Sequence, residues 1–346
     1  MAEYRLNVEN QGPALPAELI QHATPVDGSL VEREEESPID TWELIGESAL
    51  DSFLRNNAVR IALPPIAAAR LERLNGELDK FLRLAPEIKQ RYTSGEQDVA
   101  GYRQPEHAFT IDPSTGVKIK DKNPSFLYWR HSESEQAEKQ IQHADEIPDL
   151  ISAARDYYEV SAALTRGLLR ALSRHFNRPG EIRFEMSSHL QANLPVDELS
   201  GILKEGDEVQ GEHEDGTLLT IITATDPGLA YVAADGTRTN IDFASGEVLI
   251  MAGCLAEVMM NKAAAFWHQA LYWGDFSSDQ EGGSAGRKAI MLFVSPDPDE
   301  YGRVYPLTTP EGTTPLVREA IAFGLGKLVL TNPSVLFGQP EDFISR

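Results

Sequence analysis

Cysteine is almost missing from this chain: Cys254 is the only one in 346 residues, so no intramolecular disulfide can form. That usage suits a reducing cytoplasm, and Cys254 is expected to pack beside the sheet core rather than react. Long apolar runs are missing too. No stretch approaches the roughly 20 residues needed to span a bilayer. The opening residues, Met1 to Asn7, lack the basic patch and apolar core of a signal peptide, so none is expected. Positive charge is also scarce. With 31 basic against 54 acidic residues the net charge is −23, a field that repels phosphate backbones and anionic membrane surfaces. Nucleic acid and membrane are therefore not expected partners. Internal repeats and low-complexity tracts are absent.

What is present fits a self-sufficient globular protein. A hydrophobic fraction of 41% over this length can bury a large core, as one big domain or two fused lobes.

The most informative short motif is His213-Glu214-Asp215, with a lone His268 well downstream and Arg287 beyond it. In an extended chain, residues two apart point the same way, so His213 and Asp215 can both turn inward while Glu214 faces away. The following Leu218-Leu219-Thr220-Ile221-Ile222 is rich in β-branched residues and reads as a strand, as does Gly246 to Met251 ahead of His268. Two histidines and one carboxylate on one face of Fe(II) leave positions open for a co-substrate and O2. Taken alone, a His-x-Asp is also satisfied by hydrogen-bonded core residues, so its surroundings decide.

Those surroundings form an ordered series: Leu219-Thr220, Pro227-Gly228-Leu229, Gly246-Glu247-Val248-Leu249, Ala252 to Glu257, then Arg287 leading Ile290-Met291-Leu292-Phe293 into Pro296. Together they resemble the isopenicillin N synthase-like branch of the 2-oxoglutarate/Fe(II) oxygenases. Further upstream, Ser37-Pro38-Ile39-Asp40 looks like that family's opening strand. Ala49 to Val59 resembles its first helix, running into an Ile61-Ala62-Leu63 strand. Phe81 to Tyr92 with Gly101-Tyr102, and the stretch from Ile147 to His175, resemble later helices of the family.

The resemblance implies a mainly β fold with flanking helices: a double-stranded β-helix (jelly roll, cupin-like) core behind an N-terminal helical region. The expected divisions are an arm at 1–36, a mainly helical region with a lid loop at 37–180, the oxygenase core at 181–310, and a helical tail at 311–346. The acidic run Glu32 to Glu36 reads as a solvated part of the arm. The polar stretch from Thr93 to Asn123 reads as the lid.

By the same resemblance, His213, Asp215 and His268 would hold Fe(II), and Arg287 would grip the distal carboxylate of 2-oxoglutarate through paired, charge-assisted hydrogen bonds. O2 would complete the set, and a small molecule would be oxidised, by hydroxylation first of all, with desaturation or cyclisation open to the same chemistry. Tyr102, Arg103, Trp129 and Arg130 are the candidate substrate contacts. For Trp129 and Arg130 the alternatives are a core position and a surface ion pair.

Three departures from the family pattern stand out. The serine expected two residues after the arginine is Ala289, leaving Thr220 or another hydroxyl to replace it. The asparagine-tyrosine-tyrosine-proline segment is Ala192-Asn193-Leu194-Pro195, where His189, Gln191 or Asn193 can project inward. The interval between His268 and Arg287 is long, with Asp279 to Gly286 reading as an inserted loop. These changes keep open an oxidase on the same fold, needing no keto acid and using Arg287 for a substrate carboxylate. A catalytically silent binding protein is the third reading. Oligomeric state is not legible.

Overall fold

The structure is a computed structural model that describes residues 23, 26–93, 101–105, 109–111, 118–120, 122–130, 146–176, 180–195, 207–233, 236–253, 255–256, 260, 268–271 and 287–297. Cys254, the insertion at 279–286, the expected tail 311–346 and most of the arm and lid lie outside those residues.

The N-terminal half is a set of helices around one long one. They are α1 (Gly28–Glu34), α2 (Pro38–Ser48), α3 (Leu50–Asn56), α4 (Pro65–Leu82), α5 (Pro86–Lys89) and α6 (Leu150–His175). Proline opens α2, α4 and α5, where its missing N–H costs nothing. The segment Ser37 to Asp40, expected as a strand, instead begins α2, with Pro38 at its first turn. α2 and α6 cross at close range, because a Cβ on Gly46 or Gly167 would overlap the carbonyl oxygen of Leu164 or Glu43 on the other helix.

The acidic run is not wholly solvated. Glu34 is 1% exposed. Its carboxylate accepts from Trp42 Nε1 at 2.7 Å, Ile66 N at 2.8 Å and Ala67 N at 2.9 Å. The last two are orphan donors in the first turn of α4, so this carboxylate caps a helix distant in sequence. Charge pattern alone hides such a partner.

Thirteen strands follow the chain among the described residues: β1 (Ala58–Ala62), β2 (Gly101–Arg103), β3 (Phe109–Ile111), β4 (Lys118–Lys120), β5 (Ser125–Tyr128), β6 (His189–Asn193), β7 (Glu208–His213), β8 (Leu219–Ala224), β9 (Leu229–Val232), β10 (Arg238–Ile241), β11 (Glu247–Ala252), β12 (His268–Leu271) and β13 (Ala289–Val294). They form a seven-stranded sheet in the order β1-β11-β8-β13-β6-β5-β2, a four-stranded sheet in the order β10-β9-β12-β7, and a β3-β4 hairpin. Every pairing is antiparallel. Residues 37–180 are thus not purely helical: β1, β2 and β5 are built into the larger sheet.

Strand alternation divides the larger sheet into two faces. Ile221, Ile290, Leu292, Leu190 and Phe126 pack with the helices in the main core. Ile222, Ala224, Leu249, Met251, Ala289 and Met291 pack instead with Leu229, Tyr231 and Ile241 of the smaller sheet. The two sheets therefore meet face to face. Across the inner face the register aligns three rows: Met251, Thr220, Phe293 and His189; then Leu249, Ile222, Met291, Gln191 and Leu127; then Ala224, Ala289, Asn193, Ser125 and Arg103. Among the described residues no helix is long and apolar enough to cross a membrane.

Candidate metal centre

His213 ends β7 and His268 begins β12, and the two strands pair so that these residues face each other directly. Asp215 lies just past β7, in the turn leading to β8. The antiparallel ladder thus closes the long sequence gap between the histidines. One ligand-type atom from each of the three residues lies within 4.8 Å of the others. Asp215 Oδ1 is 3.7 Å from His213 Nε2 and 3.8 Å from His268 Nε2. The imidazole centroids are 4.4 Å apart.

The surrounding bonds fix which atoms point at that common space. His213 Nδ1 lies 2.7 Å from the carbonyl oxygen of Gly211, which can only accept, so Nδ1 carries the proton and Nε2 keeps its lone pair. Thr220 Oγ1 donates to Asp215 Oδ2 at 2.6 Å, leaving Oδ1 as the oxygen nearest both histidines. With its only proton committed, Thr220 accepts from Thr217 Oγ1 at 3.1 Å. Gly253 makes room for this chain of hydroxyls, since a Cβ there would overlap the carbonyl oxygen and Oγ1 of Thr217. Asp215 and His268 are 5% and 6% exposed and His213 is half-buried, so the carboxylate and one imidazole are shielded from bulk water. Two imidazole nitrogens and one carboxylate oxygen, with the outer atoms of His213 and Asp215 hydrogen-bonded, can hold a divalent first-row metal.

Arg287 immediately precedes β13. Its neighbour Lys288 is 4% exposed and points to the helices, donating to Asp79 Oδ1 and to the carbonyl of Asn75 on α4. Alternation therefore turns Arg287 to the inner face with Ala289 and Met291. Its Nε is buried and without a hydrogen-bond partner among the described residues. Burial pulls the guanidinium down to about 10, partly opposed by the carboxylate of Asp226, so it stays charged at neutral pH. A half-buried cation whose enclosed Nε is idle suits an anionic ligand.

Thr220 is not placed to stand in for the missing serine. Ala289 pairs with Ala224, and Thr220 to Ala224 is a rise of roughly 13 Å at about 3.3 Å per residue. Asn193 is the direct cross-strand neighbour of Ala289 on the same face. Its Oδ1 accepts from Gln191 Nε2 at 2.7 Å, and its Nδ2 reaches Gln210 Oε1 of the smaller sheet at 3.3 Å.

The candidate substrate contacts separate. Arg103 lies on the inner face, donating to Ser125 Oγ and to Gln191 Oε1, each at 2.9 Å. Trp129, 5% exposed, stacks on His189 with centroids 4.2 Å apart and planes 19° apart. Tyr102 alternates to the helix side, where its ring lies 5.4 Å from that of Phe81. Arg130 is tied to Glu159 of α6 at 3.0 Å and to Glu185 at 2.9 Å. The strand period that puts Arg103 inside puts Tyr102 outside, and the carboxylates of Glu159 and Glu185 take up Arg130. Thr217, Gly253, Gln210 and Phe293 were not singled out from sequence, because their roles depend on register.

No protein-family profile and no curated protein matches the chain. Solved structures do. A full-length Neurospora crassa protein in complex with alpha-KG and thymine has 18% identity, covering 87% of this chain and 96% of that one, with a TM-score of 0.57. A 2OG-Fe(II) oxygenase family protein from Caulobacter crescentus has 16% identity, covering 79% and 87%, at 0.52. JOX2 in complex with 2OG, Fe and JA has 13% identity, covering 84% and 82%, at 0.51. The chain has the cupin-like fold of the 2OG-Fe(II) oxygenases, with a large antiparallel sheet and several helices.

Proposed function

We propose that this protein is a non-haem Fe(II) and 2-oxoglutarate-dependent oxygenase that oxidises a small molecule, on a double-stranded β-helix core within residues 181–310. The observation that carries this reading is the convergence of His213 Nε2, His268 Nε2 and Asp215 Oδ1, with the outer atoms of His213 and Asp215 held by protein groups. Solved structures of this fold contain 2OG and Fe, and one contains thymine.

The residues fit the absent groups. Two imidazoles and a carboxylate suit Fe(II), and the idle Nε of Arg287 suits the distal carboxylate of a keto acid. When bound, iron and the keto acid supply O2 activation, with oxidative decarboxylation to succinate and CO2 coupled to substrate oxidation. The protein's share is orientation and exclusion of water. Thr220 holds Asp215 in one rotamer, Gly211 fixes the His213 tautomer, and Arg287 offers its charge from the opposite end of the inner face. Asn193, beside Ala289, supplies the second polar group that the family's serine would otherwise provide.

A second reading is favoured by Ala289 itself, which leaves Arg287 without a hydroxyl companion on its own strand. On that reading Arg287 holds a substrate carboxylate, and no keto acid is consumed. Succinate release on iron loading separates the two: production that requires 2-oxoglutarate supports the first, and full product formation without it rejects the first for the oxidase. A small-molecule substrate and a reducing, cytoplasmic setting belong to the same proposal, the latter resting on the single cysteine.

A further inference from the structure

We propose that Trp129, His189 and Phe293 form a substrate-recognition wall, and that the substrate is a flat, uncharged ring compound presenting a hydrogen-bonding group to His189. This rests on the oxygenase reading and adds the substrate class to it.

His189 is 6% exposed, yet its ring nitrogens make no hydrogen bond among the described residues. A buried imidazole normally finds a partner, because leaving its polar atoms unmet is costly. Its strand neighbours Leu190 and Ala192 belong to the helix-facing core, so His189 is aimed between the sheets. There it stacks on Trp129 on one side and tilts against Phe293 on the other, with centroids 5.2 Å apart. Trp129 belongs to neither of the large hydrophobic clusters, and Phe293 is only partly buried although its strand crosses the middle of the sheet. A side chain in that position meets open space only where a cavity lies before it.

The wall leads to the metal residues. His189, Phe293 and Thr220 occupy one row on three adjacent strands, and Thr220 holds Asp215. Two interstrand steps of about 4.8 Å put the His189 end roughly 10 Å from the Thr220 end. That span accommodates one or two fused rings with a substituent, gripped at His189 and reacting at the far end.

The electrostatics argue for a neutral group. Arg103, the cation acting on it, is engaged by Ser125 and Gln191, and burial together with that charge keeps the imidazole unprotonated. An uncharged imidazole offers one donor and one acceptor, which matches an amide, a lactam or a phenol. Aromatic faces add preference for planar over aliphatic ligands.

Ligand-observed saturation-transfer NMR and tryptophan fluorescence, in the absence of oxygen and keto acid, test this directly. The probes are 2-quinolinone and a phenol as planar neutral compounds, with leucine and glutarate as aliphatic controls. The ring compounds should bind and the controls should not. His189→Ala and Phe293→Ala should each raise the ring dissociation constant tenfold or more, with circular dichroism confirming the fold. His189→Phe keeps the stack while removing the hydrogen bond, so it should bind naphthalene better and 2-quinolinone worse. Equal binding of leucine and rings, or ring affinity unchanged in His189→Ala and His189→Phe, would overturn the proposal. Because these readouts need no turnover, they are separable from the oxygenase reading: ring binding without any succinate release would sink that reading and leave the wall standing.

Discussion

Thr220 Oγ1 lies 2.6 Å from Asp215 Oδ2, and this bond determines which carboxylate oxygen faces the two histidines. The donor is fully buried and belongs to the central part of the larger sheet, so the carboxylate is oriented by the fold rather than by a mobile turn. Thr220→Val keeps the shape and removes the bond. Outer partners of metal ligands typically contribute about 10- to 100-fold in metal affinity. Isothermal titration with Mn(II) should show a loss in that range, whereas Asp215→Ala should abolish binding and turnover. Unchanged affinity in Thr220→Val would show that Asp215 is oriented by something else.

Gly253→Ala should act on the same chain of bonds from the other side. The added methyl meets the carbonyl and hydroxyl of Thr217, and backbone cannot yield as a flexible side chain can. Overpacking of this kind typically costs about 1 to 3 kcal/mol. Chemical denaturation should show that loss together with weaker Mn(II) binding, because Thr217 supports Thr220. A variant as stable as wild type would mean that the turn relaxes freely.

Glu34 gives a stability test remote from the site. Glu34→Ala orphans Trp42 Nε1 and two first-turn donors of α4, the bonds from Trp42 and Ala67 being fully buried. A cost of about 2 to 4 kcal/mol is expected for a buried multidentate carboxylate of this kind, read as a shift in denaturation midpoint with little change in metal affinity.

The grouping of His213, Asp215 and His268 was legible in the sequence because it is written in residue type and spacing: a two-apart pair on a strand edge and one distant histidine. The place of Arg287 just ahead of β13 was legible for the same reason, as the cation opening the strand that follows His268. The misplacements share one cause, dependence on register or on a distant partner. Tyr102 and Arg103 are adjacent, and only the pairing with β5 decides which of them faces inward. Ser37 to Asp40 reads as strand or helix until the packing of α2 on α6 through Gly46 and Gly167 is seen. Glu34 looks like one acid among several, and nothing local announces the end of α4 waiting for it.

Acid sensitivity should carry the signature of His189. Burial, with the charge of Arg103 adding to it, lowers this histidine to about 3, from an ordinary value of 6.5 in the unfolded chain. Arg103 is the charged group acting on it, and the rings packed on its two sides, Trp129 and Phe293, carry no charge. Between those values the unfolded state binds the proton that the folded state refuses. The neutral histidine's share of stability is therefore intact above pH 6.5 and is lost progressively as pH falls toward 3. Melting curves of wild type and His189→Phe should keep a constant gap above neutrality and move in the variant's favour on acidification. A gap that stays flat down to pH 4 would show that His189 is not held neutral.

On the proposed reading, the neighbourhood of Ala289 decides how a keto acid would be held. If Asn193, its cross-strand partner, supplies the missing polar group, restoring the family's serine adds little, and Ala289→Ser should change 2-oxoglutarate affinity by less than about threefold, under about 1 kcal/mol. Asn193→Ala should then cost about 1 to 3 kcal/mol, or roughly one to two orders of magnitude. Arg287→Ala should cost more, since it removes the charge as well as the donors. The measurement is anaerobic titration of the Fe(II) protein with 2-oxoglutarate, followed by the visible charge-transfer absorption of a chelated keto acid. A large gain in Ala289→Ser with no loss in Asn193→Ala would show that Asn193 does not contribute. Absence of any absorption change in wild type, with product formation intact, would transfer Arg287 from the keto acid to the substrate and make the protein an oxidase.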